Sequence, residues 1–171
     1  MKTTVKFLGA LGLMGAMITT SSAGELLRPR INLGSANVKT ISGDRGGYVI
    51  DYAIRVLKMR RSGGAVRIDG ACDSACTLYL SMPRSKVCVT HNASFGFHLP
   101  YGAGARGNQV AAAFLMKNYP GWVRGWIARR GGLKGYIATM TYADASRFLP
   151  TCPSAQRLTV ANLSPVRAHG G

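Results

Sequence analysis

Acidic side chains are scarce in this chain. Its 171 residues carry 6 Asp and Glu against 22 Lys and Arg, for a net charge of +16 at pH 7. That imbalance draws a protein towards anionic lipid, cell-wall polymer or nucleic acid. Dense basic runs are also missing. Arg28, Arg30, Arg55, Lys58, Arg60, Arg61, Arg124, Arg129, Arg130, Arg157 and Arg167 come singly or in pairs, so no specific nucleic-acid module is expected. Scattered charge reads first as a solvated basic surface, and an anionic envelope surface is the partner it fits. Internal repeats are absent, which excludes a repeat architecture. The apolar run Phe7–Ile18 has 12 residues, short of the roughly 20 that a membrane-spanning helix needs.

That run has another reading. Lys2 and Lys6 precede it, and the small residues Ser21-Ser22-Ala23 follow it, in the layout of a secretory signal peptide cleaved after Ala23. Residues 1–23 are therefore expected to be removed, leaving 148 residues with 20 Lys and Arg against 6 acids, a net of +14. That length suits one domain with a real core and does not suit two. The domain is expected over residues 24–150, with a loose tail over 151–171 that contains Pro153, Pro165 and His169. Export to the periplasm or beyond changes the meaning of the cysteines. Cys72, Cys76, Cys88 and Cys152 form an even set in an oxidising compartment, so two disulfides are expected. Three pairings are open; Cys72 with Cys152 and Cys76 with Cys88 is the one taken as the expectation. The competing zinc set, Cys72, Cys76, Cys88 and His91, has a spacing that matches no familiar zinc pattern.

Residue periodicity outlines the fold. Leu26–Leu33, with Pro29, is a lead-in that suits an edge strand, and Asn37–Ile41 alternates as a strand does. Ser42-Gly43-Asp44-Arg45-Gly46-Gly47 is a loop suited to close backbone approach. The next helix places Ile50, Ala53, Ile54 and Leu57 on an apolar face and Asp51 on the polar side, and Ser62-Gly63-Gly64 stops it. Ala65–Asp69 is a short strand, and Gly70 opens a turn. A helix carrying Ala75, Leu78, Tyr79 and Met82 follows, then strands with alternating Val87, Val89, Phe95 and Phe97. After a Gly-rich loop from Pro100 to Gly107, a helical region runs from about Asn108 to Arg130, broken at Pro120-Gly121. Its packing residues are Val110, Phe114, Trp122 and Trp126. Ile137–Tyr142 suits a strand and Ala143–Leu149 a short turn or helix. The alternation of strand and helix predicts an α/β domain with a mainly parallel sheet.

The stretch Gly70–His98 concentrates the reactive residues. A serine before an apolar helical run, such as Ser74, is ordinarily an N-cap for orphan amides. Its company supports a second reading. The glycine loop offers one N–H and the residue after Ser74 another. Two donors aimed at one point form an oxyanion hole, and His98 ends a strand close enough in the fold to serve as base. His91 reads as a surface or capping residue on a turn, and Asp73 is not expected to orient the histidine.

Three segments carry a family resemblance: Ser42–Gly47, Cys72-Asp73-Ser74-Ala75-Cys76, and Ser94-Phe95-Gly96-Phe97-His98, with 24 residues from Ser74 to His98. In order and spacing this is similar to the proteolytic subunit of the ATP-dependent Clp protease. It resembles more closely the small exported Clp-like members of the crotonase-type superfamily. The likeness covers about Asn37–His98, with an echo at Arg147-Phe148-Leu149. It implies a Clp/crotonase-like single domain of repeated β-β-α units, shortened at the N-terminus. It also implies Ser74 as nucleophile, His98 as general base, and the Gly47 and Ala75 amides as the oxyanion hole. Where the Clp subunit has its triad aspartate, Ser146 stands here. Asp144, two residues earlier, or a backbone carbonyl is then left to orient His98, unless the site is a degraded one.

The resemblance implies a serine hydrolase of peptidase type, acting through an acyl-enzyme on a peptide or small ester, with no cofactor and no metal. Export separates it from ATP and from a cytoplasmic unfoldase, so the activity is expected to be ATP-independent. Assembly into a homo-oligomer is a further implication. The alternative class is a non-catalytic envelope protein that binds an anionic partner through its basic surface.

Overall fold

The computed structural model describes residues 37–153. The leader 1–23, the lead-in Leu26–Leu33, His169 and the rest of the tail from residue 154 lie outside the described residues. Within them, β1 (Val38–Asp44), α1 (Val49–Arg61) and β2 (Ala65–Asp73) come first. A 3-10 segment (Ser74–Ser81), β3 (Val87–Val89) and β4 (Ser94–Phe97) follow. Then come α2 (Gly104–Asn118), α3 (Gly121–Ala128), β5 (Ala138–Thr141) and α4 (Tyr142–Ala145). The architecture is a mixed α/β domain on a five-stranded sheet. β2 is its spine. It runs parallel to β1 on one side. On the other, Val66–Ile68 pair with Val87–Val89 of β3 and Ala71–Asp73 with Ser94–Gly96 of β4, both parallel. Only β4–β5 is antiparallel. The sheet is mainly parallel, as expected, and β3 is buried on both faces: Val87, Cys88 and Val89 are all fully buried.

Two glycine pairs stop helices by a common device, the first of them at the predicted Ser62-Gly63-Gly64 stop. At the end of α1, Gly63 N–H donates to Arg60 O and Gly64 N–H to Met59 O. At the end of α3, Gly131 N–H donates to Ala128 O and Gly132 N–H to Ile127 O. Both are Schellman closures, which need a positive φ just past the helix; Gly63 has φ 68° and Gly131 φ 76°.

Other expectations need correction. Gly70 does not open a turn; β2 continues through it to Asp73. The register with β1 slips between Ile41 and Gly43, and Ser42 crowds onto Gly70 so closely that any side chain there would strike the Ser42 carbonyl. A glycine inside a strand here marks a bulge. The helix expected after Ser74 is a 3-10 segment in which every residue from Ala75 to Leu80 is buried. The apolar face assigned to α1 is also displaced. Tyr52 and Val56 are buried, whereas Ile50, Ile54 and Leu57 are 64%, 45% and 46% exposed. The Tyr52 ring packs edge-on against Tyr79, with centroids 6.2 Å apart, and this turns the helix. In the same way Leu115 and Tyr119, not Val110 and Phe114, root α2 in the core, while Trp126 of α3 is buried as expected.

The cysteines form two disulfides, but not in the expected pairing. Cys72 bonds Cys76 and Cys88 bonds Cys152. Cys72 and Cys76 flank the β2-to-3-10 junction with Cα atoms 5.3 Å apart, well within bonding reach. Thr151 and Cys152, assigned to the tail, are pinned beside β3: Cys152 N–H donates to Val89 O and Val89 N–H to Pro150 O. With all four thiols oxidised, the zinc set cannot form.

The separations of the bridged residues predict unequal effects. Chain entropy gives about 4 kcal/mol for the 64-residue separation of Cys88 and Cys152. The 4-residue separation of Cys72 and Cys76 gives about 2 kcal/mol. Urea unfolding of Cys88→Ala/Cys152→Ala should therefore show roughly twice the stability loss of Cys72→Ala/Cys76→Ala.

Candidate functional site

Ser74 stands where β2 ends and the 3-10 segment begins, and its backbone is unusual. Its φ is 56°, the only positive value at a non-glycine among the described residues. For an L-residue this conformation costs on the order of 1–2 kcal/mol, and such strain concentrates at functional positions. Three restraints hold it. The Cys72–Cys76 bridge closes around the serine. Thr77 Oγ1 donates to the Ser74 carbonyl at 2.5 Å. Thr77 Oγ1 in turn lies 2.5 Å from Tyr119 Oη, and because its own proton is used, it accepts from the tyrosine.

The glycine loop packs directly against this turn. Gly46 has φ 86°, and a methyl group on it would lie 2.7 Å from Ser74 Cβ and 2.9 Å from Ala75 N. Only glycine permits that approach. Asp44 sets the loop: its Oδ1 accepts from Gly46 N–H at 2.9 Å and from Tyr52 Oη at 2.5 Å. The next residue, Gly47, lines the pocket, and its N–H meets no backbone acceptor among the described residues. Ala75 begins the first turn of a helical segment, where N–H groups have no preceding carbonyl partner. The loop that carries the Gly47 N–H is thus packed, through Gly46, against the Ser74–Ala75 turn.

His98 follows the end of β4 and lines the same cavity as Ser74, with a volume of about 650 Å³. Its Nδ1 lies 2.7 Å from the Leu99 carbonyl. With Nδ1–H as the donor, Nε2 keeps its lone pair. Leu99 is itself fixed by its N–H donating to Lys134 O. No hydrogen bond joins Ser74 to His98 among the described residues. Asp144 is placed elsewhere: its carboxylate accepts from Trp126 Nε1 at 3.2 Å and lies 3.8 Å from Arg130, whose guanidinium stacks on the Trp126 ring. The group that meets Nδ1 of His98 is thus a backbone carbonyl and not Asp144. Asp73 faces Gly96 across the β2–β4 ladder, and His91 is exposed and packs on Tyr142.

The walls of the cavity are apolar: Tyr48, Val49 and Ile50 from the start of α1, and Val110, Ala111 and Phe114 from α2. Arg45 is the one charged side chain that lines it. Asp44, Tyr52, Thr77 and Tyr119 escape sequence reasoning. Of these, only Asp44 carries a local signal, an aspartate two residues before a loop glycine, which favours an Asx turn. Among the described residues no cluster of three or more His, Cys, Asp or Glu is arranged to hold a metal.

Burial, then the hydrogen bond to Asp44, pushes the Tyr52 phenol up to about 12. Burial alone pushes Tyr119 up to about 12. In the unfolded chain both ionise near pH 10. Folding thus retains protons that the unfolded chain loses, so their contribution is whole below about pH 10 and lost as pH rises towards about 12. Urea midpoints should fall over that window, and Tyr52→Phe should flatten the fall. Separately, Gly46→Ala should cost about 2 kcal/mol from positive φ and crowding together, read as a lowered urea midpoint.

A scan against protein-family models finds no match to the chain, and a search of curated proteins finds no similar sequence.

Proposed function

We propose that this is an exported, ATP-independent serine hydrolase of Clp/crotonase-like fold, which acts through an acyl-enzyme on a peptide or small ester. The observation that carries the reading is the strained Ser74, set against the Gly46-Gly47 loop in a pocket shared with His98. In this scheme Nε2 of His98 takes the Ser74 hydroxyl proton as Oγ attacks the substrate carbonyl. The oxyanion that forms is met by the N–H groups of Gly47 and Ala75. Collapse of the intermediate breaks the bond to the leaving group, which receives the proton from His98. Water, deprotonated in turn by His98, then releases the acyl group. A leader peptide and two disulfides support an exported setting, and no helix among the described residues is long and apolar enough to cross a membrane.

A second reading rests on a specific observation: among the described residues no carboxylate bonds His98, and Ser74 and His98 share no hydrogen bond. This favours a non-catalytic envelope protein that keeps the scaffold and binds an anionic partner. The two readings separate in one experiment, fluorophosphonate labelling of the purified oxidised protein beside Ser74→Ala and His98→Ala, with folding checked by circular dichroism. Labelling is expected in the wild type and absent from Ser74→Ala. In His98→Ala it should fall by about 100-fold or more, the usual effect of losing a general base. A folded wild type that takes no label overturns the hydrolase reading.

A further inference from the structure

Of the large apolar residues that the core leaves exposed, Tyr48, Ile50, Tyr101, Val110 and Phe114 line the cavity, and Ile54 and Leu57 continue from it along α1. Ile50, Ile54 and Leu57 recur at i, i+4 and i+7 along the outward face of α1, a stripe about 10 Å long at 1.5 Å per residue. The stripe starts at the cavity, because Ile50 is also one of its walls. Tyr48, 80% exposed, and Tyr101, 83% exposed, line the same cavity. Val110 and Phe114 continue the apolar surface on α2. Isolated exposed aliphatics need no explanation, but a contiguous patch around a cavity mouth does.

The charges around the patch select its occupant. Lys58 and Arg61 sit among the stripe residues, each exposed, and Asp51 is the one acid on α1. Arg45 stands at the mouth and Arg106 in the first turn of α2. A second copy of the chain would bring these cations against their own kind, with a single aspartate per helix to answer them. A small soluble ligand would fill the cavity and leave the convex stripe bare. What remains is an extended apolar layer under a sheet of negative charge. Exposed tyrosines, with an apolar ring and a polar tip, belong at such a boundary. A helix with apolar residues interleaved with Lys and Arg lies flat in it.

We infer that the cavity mouth, together with the outward face of α1, seats on an anionic lipid bilayer. The domain docks peripherally, its apolar side chains entering the headgroup region and Lys58 and Arg61 meeting lipid phosphates. The pocket that holds Ser74 then opens towards the membrane. Docking does not require Ser74 to be active, so the two proposals stand or fall separately.

The test is co-sedimentation of the full chain, expressed in an exporting host so that any processing is its own. The vesicles are phosphatidylcholine, alone or mixed equally with phosphatidylglycerol. Binding to the anionic vesicles, and little to phosphatidylcholine alone, is expected at about 50 mM salt, with a marked fall at about 500 mM. Ile54→Ser/Leu57→Ser should reduce the bound fraction about tenfold or more. Lys58→Glu/Arg61→Glu should abolish the preference for phosphatidylglycerol. All four side chains lie outside the cavity lining, so circular dichroism and fluorophosphonate labelling should match the wild type in both variants. The inference is overturned if the wild type does not partition onto anionic vesicles. It is equally overturned if Ile54→Ser/Leu57→Ser binds as the wild type does. Light scattering that finds a wild-type oligomer dissolved by the same substitutions would assign the face to self-association instead.

Discussion

The backbone of Ser74 is the constraint around which this domain closes. A residue with a side chain held at φ 56° stays there only when its surroundings leave no alternative. Here they come from four directions. β2 delivers the chain in fixed register with β4, Asp73 opposite Gly96. The Cys72–Cys76 bridge ties the residues on either side. Gly46 presses from the glycine loop, and the Tyr119–Thr77 relay holds the Ser74 carbonyl from the core. A bridge across four residues removes little entropy from the unfolded chain. Its main effect is therefore local, on the shape of the turn, whereas the Cys88–Cys152 bridge fastens the far end of the domain to β3.

The same constraint explains why the segment after Ser74 is a 3-10 helix. Thr77 Oγ1 bonds the carbonyl three residues back, and Ser81 Oγ does the same to Leu78. Side chains buried all round the segment, from Ala75 to Leu80, wedge it between sheet and helices. An α-helix of the same residues would be wider and shorter. Hydrophobic spacing alone does not separate these two forms over eight residues, since Ala75, Leu78 and Tyr79 satisfy both periods.

Much of the architecture was legible before any coordinates because it is written in short-range chemistry. Glycine pairs end helices by supplying positive φ, and Pro120 breaks the long helical region because it has no N–H to continue it. What failed was whatever depends on competition between distant groups. The pairing of four cysteines depends on which Cα atoms the fold brings within reach, and spacing does not encode that. Gly70 reads as a turn until Ser42 is known to lie against it. α1 has two apolar faces, and the choice of Tyr52 and Val56 for the core is settled by Asp44 and Tyr79, partners that the helix's own sequence does not reveal. In the site, Ser74, His98 and the Gly46-Gly47 loop come together, whereas Asp144 belongs to an aromatic and arginine cluster on α3.

The positions where hydrophobic pattern and burial part company are themselves informative. Ile50, Ile54, Leu57, Val110 and Phe114 have core periodicity yet stay at the surface, and all lie on the two helices that wall the cavity. A folding requirement alone does not keep them there. The core is complete without them: Val66, Ile68 and Cys72 of β2, all of β3 and Phe95 and Phe97 of β4 are buried. Polar residues at these positions would leave the sheet, the bridges and the Ser74 turn untouched. Their presence beside Lys58 and Arg61 gives the cavity mouth and the adjoining face of α1 an apolar and cationic character. The strained Ser74 turn and this surface chemistry thus meet at one cavity, and whatever reaches Ser74 has to pass an apolar, cationic rim to do so.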